Sequence, residues 1–210
     1  MKDPIKSSEQ RTQRYWYIDG LTELGFGFVC LLLAGYFFLQ ATLPDASPAS
    51  QYLNLALMAF IFFSSYAFRY AVRKVKERIT SPRTGYVAYR RTPHHKRLAL
   101  IAAALFSAGI FAAVLSFFIL GGQDQWMAAV SGLIIAAIWA ILGYRLIILR
   151  FFALAGFSLA AGLLASLIHL DQEMGLVVYY GLFSLAMLVS GGLTLQSYLR
   201  ASPPPNEAQV

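Results

Sequence analysis

Six stretches of this chain, at 24–43, 52–72, 98–120, 126–144, 151–170 and 175–199, run for 19 to 25 residues with a single Lys, Arg, Asp or Glu among them, Arg69. Crossing roughly 30 Å of hydrocarbon takes about twenty apolar residues of helix at about 1.5 Å each, so every run is long enough. In lipid a spanning backbone must satisfy its own polar groups, which leaves helices and closed barrels. A barrel strand would alternate apolar and polar positions over about ten residues, whereas these runs are continuously apolar. The sequence therefore predicts an all-α, polytopic transmembrane bundle of six spans.

Composition agrees. Of 210 residues 58% are hydrophobic and 13% charged, where soluble domains carry about 25% charged. The runs occupy about three fifths of the chain, leaving too little for a separate soluble domain. One membrane domain, 24–199, is expected between an N-terminal tail, 1–23, and a C-terminal tail, 200–210. The first run exceeds the 7 to 15 residues of a signal-peptide core, so a retained helix is expected. Cys30 is the only cysteine, which excludes a disulfide scaffold. Between the fourth and fifth runs, Gly143, Arg145 and Arg150 mark a tight turn, because one unbroken helix would overshoot the bilayer about twofold.

The 17 Lys and Arg residues orient the chain. Four lie in the N-terminal tail, ten between Arg69 and Arg97, two at Arg145 and Arg150, and one at Arg200; the turns holding Asp45, Asp124 and Asp171 have none. The positive-inside rule then places both termini in the cytoplasm of a multi-pass cell-membrane protein. Tyr15, Trp16, Tyr17, Tyr66, Tyr70, Trp126 and Tyr198 fall at run ends and read as interface anchors. Small residues recur four apart, as Ala104, Ala108 and Ala112, as Gly132, Ala136 and Ala140, and as Ser158, Gly162 and Ser166. Such faces let helices approach closely, within one chain or between the chains of a homo-oligomer.

The segment 73–97 is the most distinctive, with nine Lys or Arg against Glu77 alone. A helix is expected to leave the membrane from Arg73 to about Ile79 and to stop at Thr80, Ser81 and Pro82. The cations, with Arg73, Lys74, Arg83, Arg90 and Arg91 foremost, suit anionic lipid headgroups or a protein partner. Nucleic acid is not expected, since no recognition module is present and topology already explains the charge. The string Arg78, Ile79, Thr80, Ser81, Pro82, Arg83, Thr84, Gly85, Tyr86, Val87 resembles a cytoplasmic loop of small uncharacterised bacterial six-span membrane proteins. That resemblance implies a bacterial inner membrane and carries no activity or site residue with it.

Asp19 and Glu23 stand four apart where the first helix should begin, so capping by Asp19 and an inner-interface ion pair with Arg69 or Arg73 are expected. No run contains Asp or Glu, which argues against ion-coupled transport. His169, Asp171 and Glu173 alternate on one turn, but solvated turn residues are the better reading than a metal site. Neighbours His94 and His95 point apart, and Cys30 reads as a packing residue. There is no GxGxxG, no GxxxxGK[ST], no HExxH and no pair of aspartates within spans. No cofactor and no enzymatic activity are expected. The reading is an accessory or regulatory membrane protein docking through 73–97, with a small oligomeric channel or transporter as the alternative.

Overall fold

The computed structural model describes residues 17–44, 47–79 and 124–201. Helix is the only regular structure among them: α1 (Leu21–Thr42), α2 (Pro48–Ile79), a single 3-10 turn (Asp124–Trp126), α3 (Met127–Leu146), α4 (Leu149–Leu167) and α5 (Gln172–Ala201). Four of these, α1, α3, α4 and α5, are long and apolar enough to cross a membrane, so the chain is a multi-pass membrane protein. The expected second span lies within α2. The expected third, 98–120, with its Ala104, Ala108 and Ala112 face, lies outside the described residues.

The expected turn between the fourth and fifth runs is present. Ile147 adopts a left-handed conformation, φ 55°, Ile148 is extended, and α4 starts at Leu149. The Ile147 and Ile148 pair thus reverses the chain in two residues. The start of α1 falls one residue later than a cap at Asp19 would put it: the helix begins at Leu21, with Glu23 in its first turn. Gly20 takes the cap position at φ 72°, and Asp19 sits one residue earlier. Asp19 still serves the helix end, since its Oδ1 accepts the Leu21 N–H at 3.3 Å.

α1 lies most extensively along α5, and α3 along α4. The α3–α4 crossing shows why. A Cβ added at Gly132 would stand 2.7 Å from the Ser158 carbonyl oxygen, and one at Gly162 would stand 2.7 Å from that of Ala128. The two backbones touch where side chains would ordinarily hold them apart. Ser158 Oγ donates to the Gly132 carbonyl at 3.0 Å, and Ser166 Oγ accepts the Ala129 N–H at 3.0 Å. Two of the small-residue faces read from the sequence therefore meet each other, inside one chain. The α1–α5 contact follows the same rule: Gly20 fits against the Gly191 carbonyl, where a Cβ would lie 2.5 Å from the oxygen, and Ser184 Oγ donates to the Gly27 carbonyl at 2.9 Å.

Where the two pairs join, Phe151, Tyr179, Phe183 and Met187 are fully enclosed. Trp139 meets Phe151 edge-on at 4.9 Å and Phe26 at 5.6 Å, tying α1, α3 and α4 together. α2 stands to one side, held to α1 by the Tyr36 hydroxyl donating to Asn54 Oδ1 at 2.6 Å.

Candidate functional site

Charge is rare inside this bundle, and it gathers at one end. Glu23, on the first turn of α1, and Asp19, just before it, are each 1% exposed. α4 begins at Leu149, which puts Arg150 on its first turn, where it turns inward and keeps 27% exposure. Its Nε lies 2.6 Å from Glu23 Oε1, a charge contact whose angle departs from hydrogen-bond geometry. The rest of the guanidinium does bond: one terminal nitrogen donates to Thr194 Oγ1 at 3.2 Å and the other to the Tyr17 carbonyl. Ser190 Oγ donates to Glu23 Oε2 at 2.6 Å. Thr194 Oγ1 in turn donates to the Ser190 carbonyl at 2.7 Å.

One arginine thus gathers the segment before α1, α1 itself and α5 around the start of α4. A planar guanidinium with its donors fixed in a fork suits this use better than an ammonium would. Glu23 also gains from lying at a helix N-terminus, where the backbone dipole favours negative charge. Isolated charges are costly at membrane depth, so the acid and the base are retained as a unit.

The sequence located both acids but not their cation. Arg150 reads there as a turn residue reaching headgroups, as does Arg145, which is exposed in the structure. The expected partner of Glu23 was Arg69 or Arg73; the Arg69 side chain lies outside those described, Arg73 is exposed, and the cation that the structure places on Glu23 is Arg150. The signal that could have found it is positional. Arg150 heads a run reading Leu149 to Leu167, and a cation so close to a span's start must either reach back or turn into the bundle.

The basic segment is described only in part. α2 is described as far as Ile79, with Arg73 and Lys74 both exposed. Lys74 Nζ donates to the Tyr70 hydroxyl at 3.3 Å and lies 5.3 Å from that ring's centre. Arg83, Arg90, Arg91 and most of the string carrying the resemblance lie outside the described residues.

A second polar cluster lies among α3, α4 and α5. The Tyr179 hydroxyl and Ser158 Oγ are 2.8 Å apart, and Tyr179 also donates to the Ser131 carbonyl at 3.4 Å. With Ser158 bonded to Gly132, these buried hydroxyls satisfy one another and the backbone. Such closure serves packing rather than chemistry. Cys30 is buried. At the opposite end, His169, Asp171 and Glu173 line an open cleft. Among the described residues no group of three or more His, Cys, Asp or Glu side chains could hold a metal ion. No protein-family model, curated protein or solved structure matches the chain.

Proposed function

We propose that this is a non-enzymatic accessory or regulatory protein of a bacterial inner membrane, with six spans and both termini in the cytoplasm, which docks a partner protein or anionic headgroups through residues 73–97. The length of α2 carries the reading. Its 32 residues extend about 48 Å at about 1.5 Å each, where roughly 30 Å of hydrocarbon needs only about twenty. The surplus is a basic helical arm with Arg73 and Lys74 on its surface, leading into the remaining cations of the segment. Long-range attraction from such an arm acts within about 8 Å of the surface at physiological salt.

The described spans support docking over conduction. α1, α3, α4 and α5 close on one another by backbone contact, and hydroxyls at the crossings bond internally. A small oligomeric channel or transporter would need its path elsewhere, such as between chains. The Glu23–Arg150 cluster fits an anchor that holds the bundle's end rigid beside the arm.

Cross-linking in native membranes, followed by purification of the wild type and of an Arg90→Glu, Arg91→Glu double variant, tests the docking role. Loss of captured protein or anionic lipid in the variant, matched by release of wild-type complexes at high salt, is the expected result. An identical set captured by both would refute it.

A further inference from the structure

We propose that two copies of this chain associate side by side through α2, with their Asn54 carboxamides bonded to each other. The pairing is separate from docking through 73–97 and rests only on α2 crossing the membrane. Of the described helices only α1 packs along α2, and Ser50 is the one buried side chain of α2 among those described. Gln51, Asn54, Leu55 and Met58, spaced three and four apart, stand exposed on one face. By contrast α1, α3, α4 and α5 each bury five or more residues in the bundle.

Asn54 decides what covers that face. It lies six residues past Pro48, and Tyr36 six residues before Thr42, so the bond from the Tyr36 hydroxyl to Asn54 Oδ1 falls about 9 Å below the helix ends. The amide nitrogen of Asn54 meets no acceptor among the described residues. Hydrocarbon offers none either, and a donor left bare in it is costly. Carboxamides join membrane helices by bonding across the contact. Every copy inserts with the same orientation, so a two-fold axis along the membrane normal sets each α2 against its twin at equal depth. A carboxamide donates and accepts at once, and its oxygen keeps a second lone pair after accepting from Tyr36. Asn54 therefore complements itself across such an axis. Leu55 and Met58, 63% and 65% exposed, extend the contact with apolar surface. A foreign helix would have to bring an acceptor to this depth, whereas a second copy brings one by symmetry.

Energy transfer between donor- and acceptor-labelled full chains in liposomes, followed as protein is diluted into lipid, tests the proposal. A reversible two-copy complex is expected, with its dissociation constant raised about threefold or more by Asn54→Leu. Tyr36→Phe removes the same bond within the chain but keeps the carboxamide, and should leave the dissociation constant unchanged. In a Cys30→Ser background, mild oxidation should join copies carrying Met58→Cys far faster than copies carrying Phe63→Cys, since Phe63 is 72% exposed but lies about 140° around the helix. That comparison leaves Asn54 intact, so it stands even if Asn54→Leu fails to fold. A monomer at every dilution, a dissociation constant that Asn54→Leu leaves unchanged or Tyr36→Phe raises as much, or equal cross-linking at both positions would each overturn it. The sidedness of residues 47 and 90 reports separately on whether α2 crosses.

Discussion

Glu23 and Arg150 occupy the first turns of two different helices, and the carboxylate of one lies 2.6 Å from Nε of the other. Both helices begin at the same end of the bundle, so the pair sits where two N-terminal turns, α5 and the chain ahead of α1 converge. Breaking a buried pair by removing one partner is worse than never having had it, because the survivor stays charged in a poor solvent for charge.

Arg150→Met is therefore expected to lower stability by about 3 kcal/mol, read as unfolding followed by circular dichroism in detergent. The fall should be smaller when Glu23→Met accompanies it, since the orphaned carboxylate is then gone too. Strict additivity of the two substitutions would show that the residues are not coupled.

Two glycines on α4 make a matched test of the helix crossing. At Gly162 a Cβ would stand 2.7 Å from the Ala128 backbone oxygen, whereas at Gly156 nothing lies within 4 Å. Gly162→Ala should destabilise by about 1–3 kcal/mol, because α3 must move away. Gly156→Ala should be neutral or stabilise by up to about 1 kcal/mol through helix propensity. Equal effects in thermal unfolding would count against the close approach.

Tyr179→Phe removes one hydroxyl from the cluster on Ser158, which keeps its own bond to Gly132. Hydrogen bonds between membrane helices average about 0.6 kcal/mol in double-mutant cycles, so a loss of about that size is expected by chemical unfolding. A much larger loss would mean that the hydroxyl does more than close a packing contact.

Ile147 is β-branched, exposed, and held at φ 55°, a conformation costing an L-residue about 1–2 kcal/mol that glycine adopts freely. Ile147→Gly should raise the unfolding temperature. The net gain is expected to be about 1 kcal/mol or less, since glycine also loses more backbone freedom on folding. A lower melting temperature would show that the side chain itself holds the turn.

The proposed topology places Ser47 and Arg90 on opposite faces of the membrane. With Cys30 replaced by Ser, single cysteines introduced at each position should react with an impermeant maleimide from opposite sides of sealed vesicles. Labelling of both from one side would require a different number of crossings between them.

What the sequence determined follows from solvent and local chemistry. Hydrocarbon admits only segments that bond their own backbones, so four apolar runs could be read directly as helices, and the Gly143–Arg150 interval as a turn. Small residues at four-residue spacing marked the contact face of α3 and of α4, because the spacing alone puts them on one side. The expected stop at Thr80, Ser81 and Pro82 lies outside the described residues. Helix pairing was not legible: α1 lies along α5 because Gly20 and Gly191 let those backbones meet. The partner of Glu23 was hidden for the same reason. A carboxylate takes whichever cation the packing brings within about 4 Å, and only the placing of α4 beside α1 and α5 decided that it would be Arg150. Solubility in lipid is a property of each segment by itself, whereas shape complementarity and charge pairing belong to segments together.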